Sequence, residues 1–343
     1  MKRLSKSRYT AFCQCPKNLW LKVYKPEEAT IDAGMEARFA QGNVVGDLAM
    51  GLFGDFKEVT AHQEDGSLDL QKMIELTKQY MDEGVENICE ASFSCEGGYC
   101  AVDILRKDGE GWAIYEVKST SFPEFNGQEA KLEKYAPDIA YQKWVLEQCG
   151  VNVTGTYLVC LNSDYVRHGA LDVKQLFVIN DMKEMVENEY LKVPAHVGQA
   201  MKVVNSEQEP DMDLSECCMM PYKCAFWDYC KQKHHVPTPS VFDVYGGQGR
   251  GGFTFKKKLD CYHQGLRRIR RFATDQHRPH SEHADRGGID GQGVHSSRGN
   301  PPIPRQAFLS DLFPRLRDDA GCRATIRRSE GLCTDHLPVL PAH

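Results

Sequence analysis

The stretch AVDILRKDGEGWAIYEVK, residues 101–118, decides the reading of the fold. Ala101 to Arg106 and Trp112 to Lys118 are rich in β-branched and aromatic side chains, and the polar run Lys107 to Gly111, with glycines at 109 and 111, separates them. That pattern predicts two antiparallel strands joined by a hairpin loop. Before the hairpin, Ile88 to Ser94 reads as a further strand. After it, Val153 to Leu161 is the most apolar and β-branched run in the chain and reads as a buried strand, and Leu176 to Ile179 adds another. Helices are predicted over 5–24, with Pro16 marking a bend or restart, and over about 31–52, 68–84, 138–148 and 181–204. A hairpin feeding a central mixed sheet, with helices on either side in sequence, places the chain in the α/β class.

Composition changes along the 343 residues. All 23 lysines lie at or before Lys258, whereas 13 of the 19 arginines follow it. No Trp or Tyr occurs after Tyr262, and seven of the twelve His fall in the last 85 residues. Such a switch resembles a change of reading frame more than a second domain. Residues 259–343 are therefore expected to be an aberrant tail, disordered or poorly packed. The remainder divides into a basic N-terminal helix (1–30), a core (31–204), a cysteine cluster (205–235) and a Pro/Gly-rich linker (236–258). About 258 residues can bury roughly 70–75% of their unfolded surface, so size alone requires no metal or disulfide staple.

The net charge of -6 divides into -9 before residue 259 and +3 after it, so no global basic excess marks a nucleic-acid-binding protein. No apolar run approaches the roughly 18 residues of a membrane span, and Met1 to Ser5 leads into no apolar signal region. A cytoplasmic location and no membrane partner are expected. Fourteen cysteines in such a chain point to metal, cluster or buried thiols before disulfides.

Asp103 sits on one hairpin strand, while Glu116 and Lys118, two apart on the next, project from one face. Two carboxylates and an ammonium at one sheet edge are what metal-assisted phosphodiester hydrolysis needs: hard oxygen ligands for Mg²⁺ or Mn²⁺, and a cation near the phosphate and attacking water. A solvated Glu/Lys pair is the plainer alternative, since acidic-x-Lys triplets also occur at Asp55, Glu129, Asp172 and Asp181. On the helix after Pro137, Gln142 shares an apolar stripe with Ile139, Leu146 and Cys149, and without a partner it would cost about 1–3 kcal/mol. Either nearby backbone satisfies it or it reaches the carboxylates.

Cys218, Cys224 and Cys230 are separated by two five-residue gaps, with Cys217 adjacent, and Cys15 before Pro16 is the best distant fourth ligand. Zinc sites favour shorter gaps and iron-sulfur clusters tolerate more varied ones, which leaves both open. Cys13, Cys89, Cys95, Cys100, Cys149 and Cys160 read as small core residues. Residues 1–26 hold seven basic side chains and no acidic one, interleaved with Tyr9, Phe12 and Trp20. Such a segment suits a phosphate backbone or a solvated helix face.

Taken together, Leu4 to Thr10 leading to Cys15 and Pro16, then Asp103, Glu116, Lys118, Gln142 and the three later cysteines, resemble the RecB-like PD-(D/E)XK nucleases over about residues 4–235. The likeness is greatest to their iron-sulfur branch, which includes CRISPR-associated exonucleases. The resemblance implies a restriction-endonuclease-like core, with a mixed central sheet flanked by helices, and Mg²⁺- or Mn²⁺-dependent cleavage of DNA. It also implies a 4Fe-4S cluster on Cys15, Cys218, Cys224 and Cys230 that ties the N-terminal helix to the C-terminal segment. Asp103 and Glu116 would hold the metal, Lys118 would orient or activate water, and Gln142 would be the family's glutamine. Protein partners in DNA repair or CRISPR systems would follow. Two positions depart from the pattern: Gly46 stands where a metal-binding His often falls, leaving Asp47 or Glu90 to compensate, and Leu146 stands where a Tyr is common. The departure at Gly46 motivates a competing expectation, a non-catalytic nucleic-acid-binding module whose iron-sulfur or zinc site is structural.

Overall fold

The computed structural model describes residues 3–122, 129–244 and 252–267, so the expectation for the tail lies almost wholly outside the described residues. A short strand β1 (Leu4–Ser5) leads into helices α1 (Lys6–Gln14) and α2 (Pro16–Tyr24). Pro16 opens α2 without an N–H to continue α1, so the predicted bend is a break between two helices, with Cys15 at the joint. There follow α3 (Ala33–Ala49), β2 (Lys57–Glu58), α4 (Leu70–Asp82), β3 (Asn87–Cys95), β4 (Gly98–Asp108) and β5 (Gly111–Phe122). Next come α5 (Glu129–Leu132), α6 (Ala136–Gln148), β6 (Val153–Asn162), α7 (Val173–Leu176) and β7 (Phe177–Asp181). The helix predicted over 181–204 is two, α8 (Lys183–Tyr190) and α9 (Val193–Asn205), with Pro194 in the first turn of the second. Two more helices, α10 (Trp227–Lys233) and α11 (Phe255–His263), complete the described elements.

The strands form one mixed sheet in the order β2-β3-β4-β5-β6-β7. Pairing is antiparallel for β3–β4–β5 and for β6 with β7, and parallel for β2 with β3 and β5 with β6. The hairpin loop is tighter than predicted: Asp108 faces Gly111, and Gly109 takes the left-handed φ of +57° that the turn needs. One sheet face carries the main core, where Ile88, Leu105, Ile114 and Leu158 meet Ile139 and Leu146 of α6, Val186 of α8 and Val197 of α9. The other face carries a smaller core in which Val45 and Ala49 of α3 cover Ala113, Tyr115 and Val159. This mixed α/β sheet flanked by helices is compatible with a restriction-endonuclease-like fold. Cys89, Cys100 and Cys160 are buried in these cores as predicted, but Cys149 is exposed just beyond the end of α6.

Two features of the sheet position the site. β5 pairs with β4 only from Asp108 back to Ile104, and the vacated end of β4 is taken by β1, with Leu4 beside Gly98 and Ser5 beside Tyr99. The Tyr141 hydroxyl of α6 donates to the Leu4 carbonyl and accepts from the Tyr99 N–H, pinning β1 there. In addition, side-chain alternation changes parity in the middle of β3 and β4. Cys89 and Ile104 face the smaller core, yet Ala91 and Val102, two residues along in each strand, face the main one. Glu90, between Cys89 and Ala91, has φ +57° and marks the point of reversal in β3.

The stretch predicted as a linker over 236–258 is folded where it is described. Val241 joins Leu214, Trp227, Leu259 and Tyr262 in a separate small core, and the boundary expected at 258 falls inside α11. Tyr262 is buried and donates to Asp213 Oδ1 at 2.7 Å. Tyr262→Ala is therefore expected to destabilise the protein by about 3 kcal/mol, read as a lowered urea midpoint. An unchanged midpoint would place α11 outside the cooperative unit.

Candidate active site

Asp103 and Glu116 are one step beyond the last paired residues of β4 and β5, Ile104 and Tyr115, so they face each other where the strands part. Asp103 Oδ2 accepts the Val117 N–H at 2.7 Å, replacing a ladder bond with a side-chain one. Glu116 is only 1% exposed. Its Oε1 accepts from Lys118 Nζ at 2.6 Å and its Oε2 from Gln142 Nε2 at 2.8 Å. The four residues singled out from the sequence thus converge at one place. Gln142, on the buried face of α6, has the carboxylate as partner for its amide nitrogen, while its Oε1 is buried without a hydrogen-bond partner among the described residues.

The structure adds members to this cluster. Lys6 Nζ lies 3.4 Å from Asp103 Oδ1 and 3.0 Å from Glu116 Oε2, and Asp138 Oδ2 accepts from Lys118 Nζ at 2.9 Å. Glu90 lies on the strand next to Asp103 at the position across from it. Asp138 carried a sequence signal, since it sits one turn before Gln142 on the same helix face. Lys6 carried none, because its partners are about a hundred residues away. Asp47 is exposed on α3, which packs on the opposite sheet face through Val45 and Ala49, whereas Glu90 is in the cluster.

Burial opposes ionisation of Glu116, but the adjacent Lys118 and Lys6 ammoniums and the Gln142 amide bring its carboxyl down to about 2. Asp103 goes the other way: burial and the Glu116 charge push it above the usual range. Burial and then the Asp103 charge push Glu90 up to about 7. Burial alone would lower Lys118, but Asp138 and Glu116 raise it well above its ordinary value, so it remains an ammonium. Beside it, the Tyr135 ring lies 5.9 Å from Lys118 Nζ. Lys134 Nζ stands 4.8 Å over Tyr135 and 5.4 Å over the exposed Tyr222.

The cysteines gather on the other end of α1. Gln14 Nε2 donates to the carbonyls of Cys217, Met220 and Tyr222, which docks the loop bearing Cys218 and Cys224 on the helix end next to Cys15. Glu209 binds Lys17 of α2 and Tyr229 of α10, and Trp20 and Leu21 pack with Cys224 and Phe226. Burial raises the Cys15 and Cys224 thiols, Cys218 to about 11 and Cys230 to about 12, and for each of the last three the neighbouring thiols, Cys15 among them, add to the rise. Four thiols, Cys224 buried and Cys15, Cys218 and Cys230 half-buried, that resist ionising together are a donor set that a bound cation would relieve.

As they stand, no three His, Cys, Asp or Glu side chains among the described residues are closed into a metal shell. The carboxylate pair nevertheless fits a divalent ion by its donor chemistry, and the Lys6 ammonium stands in for a cation between its two members. For the thiols, the donor type fits and the spacing is open.

The fold and site therefore define a mixed α/β protein with a partly buried acidic-lysine cluster at a parted hairpin. No protein-family model matches the chain, and no curated protein matches it. Among solved structures it is similar to an alkaline exonuclease from Laribacter hongkongensis, with 10% sequence identity, a TM-score of 0.24, and coverage of 60% of this chain and 90% of that one. A TM-score of that size is too low to establish a common fold, so the functional reading rests on the side-chain geometry.

Glu90 makes stability depend on pH. Its folded value of about 7 exceeds its ordinary 4.5, so the folded state holds the proton more tightly. The resulting stabilisation is complete below about pH 4.5 and is lost as pH rises through about 7. Glu90→Gln, measured in EDTA, is expected to exceed the parent's stability by about 2 kcal/mol at pH 8, with the gain shrinking toward pH 5. A gain that does not vary between those pH values would show that Glu90 ionises freely in the fold.

Proposed function

We propose that the protein is a metal-dependent DNA nuclease, acting on single-stranded or end-containing DNA, with a structural 4Fe-4S cluster on Cys15, Cys218, Cys224 and Cys230. The observation that carries this reading is the convergence of Asp103, Glu116 and Lys118, with Gln142 bonded to the central carboxylate. Asp103 and Glu116 would hold a Mg²⁺ or Mn²⁺ ion, which would supply the Lewis acidity that offsets charge on the phosphate. Gln142 fixes the rotamer of Glu116, and the Val117 N–H fixes that of Asp103, so both carboxylates are oriented before substrate arrives. Lys118, permanently charged, acts as a donor to the developing negative charge and not as a general base. The exposed Tyr222 ring and the Lys134 ammonium, backed by the buried Tyr135, form a rim of aromatic surface and positive charge beside Lys118, suited to unstacked bases and their phosphates.

The thiols contribute architecture. A cluster on them would lock the loop bearing Tyr222 to the end of α1. One observation favours the non-catalytic alternative: the Lys6 ammonium between the two carboxylates.

A Mn²⁺-dependent cleavage assay on 5′- and 3′-labelled single strands separates the two. Lys118→Ala is expected to lower cleavage by about a hundredfold or more with the circular dichroism spectrum unchanged. Cleavage by the purified variant at the parent rate would overturn the assignment. Protein purified without oxygen is expected to be brown, and a colourless, zinc-loaded preparation would refute the iron-sulfur assignment while leaving the carboxylate site standing.

A further inference from the structure

Lys6 belongs to the basic N-terminal run, yet its ammonium turns inward. β1 lies along the end of β4 that β5 has vacated, and Lys6 follows directly as the first residue of α1. The Ser5 hydroxyl accepts from the Arg8 N–H and caps that helix. The chain therefore delivers Lys6 into the gap between the parting strands. There Nζ meets Ala101 O at 3.5 Å, Asp103 Oδ1 at 3.4 Å, and Glu116 Oε1 and Oε2 at 3.2 and 3.0 Å.

These four oxygens, from two carboxylates and a backbone carbonyl, are the hard donors that a divalent ion takes at about 2.0–2.6 Å. Held around an ammonium they stand farther apart, but they surround one point. Positive charges a few ångströms apart in a partly buried site repel strongly, so Lys6 and a divalent ion cannot share that point. A lysine is suited to give way, being a compact charge on a flexible four-carbon stem. The Lys6 side chain keeps 23% exposure, which leaves it a route to solvent. The opposite assignment, in which Lys6 is a fixed strut, would fit a residue sealed from solvent.

Resting on the nuclease reading above, we propose that Lys6 is a built-in competitor for the divalent-ion position. It balances Asp103 and Glu116 when no ion is bound and must swing outward for one to enter. Metal loading is then a cation exchange, and the position of the N-terminal segment sets its affinity.

The test is Mn²⁺ binding to the full chain without DNA, followed by the free-Mn²⁺ paramagnetic resonance signal. Lys6→Met, which keeps most of the stem and removes the charge, is expected to tighten Mn²⁺ binding by about tenfold or more, and Lys6→Arg to stay within about threefold of the parent. Lys6→Gln, which retains a donor for the carboxylates, serves if the Met variant does not fold. Adding Asp103→Asn to either neutral variant is expected to abolish the tightened site. Mn²⁺ affinity in the folded neutral variants equal to or weaker than the parent's would overturn the proposal, while an Asp103-dependent site in the parent would leave the nuclease reading intact. If no variant binds Mn²⁺ through Asp103, both fall.

Discussion

The structure turns on the cost of keeping a charged Glu116 inside the core. A carboxylate that is 1% exposed is tolerated only if its oxygens are paired, and removing one partner of such a buried group typically costs about 3–5 kcal/mol. Its partners come from three separate places: Lys118 on the same strand, Gln142 on α6, and Lys6 at the start of α1. The two that come from other elements depend on where those elements lie. Gln142 can reach Glu116 only if α6 crosses the face of β5, and Lys6 only if β1 takes the end of β4. The helix packing and the strand order are thus tied to one carboxylate.

That constraint also explains why the hairpin parts where it does. A continuous ladder would place Glu90, Asp103 and Glu116 in one row across three neighbouring strands, with like charges a few ångströms apart, an arrangement that is destabilising on any sheet. Two things relieve it. β5 stops pairing with β4 at Ile104, which opens room for an ammonium between Asp103 and Glu116. Glu90 takes a left-handed backbone, at a cost of order 1 kcal/mol or more for a residue with a Cβ, and both strands reverse their faces there. Local strain is thus concentrated at the carboxylates.

Most of the sheet is legible in the sequence because its strands are periodic and its turn is marked by glycine. The same periodicity puts Glu116 and Lys118 on one face, and an apolar stripe carrying a lone glutamine points to Gln142. What periodicity cannot carry is contact across distance. Lys6 reads as one of seven basic residues in a solvated run, and only the β1–β4 pairing turns it inward. Glu90 stands out in the sequence only as a possible substitute for the missing histidine, and its left-handed backbone leaves no mark in the strand pattern. The region after 235 misleads for a related reason. Its prolines and glycines describe local chain stiffness, while Leu259 and Tyr262 are positioned by the Trp227 core.

The two unusual groups of the molecule, the carboxylate cluster and the gathered thiols, are joined by a single short rod. α1 begins with Lys6 and ends against Cys15, a nine-residue helix of about 13 Å. Gln14, in its last turn, holds the carbonyls of Cys217, Met220 and Tyr222, and the Lys134 ammonium stands over both Tyr222 and Tyr135, whose ring lies beside Lys118. A closed path therefore runs from the carboxylates along α1 to the cysteine loop and back to the rim of the same site. Because α1 also stacks Tyr9 on Tyr141 of α6, it cannot slide without disturbing the helix that carries Gln142. One helix carries Lys6 to the carboxylates at its first residue and Gln14 to the cysteine loop at its last. The cysteine segment is thus a brace for the carboxylate site.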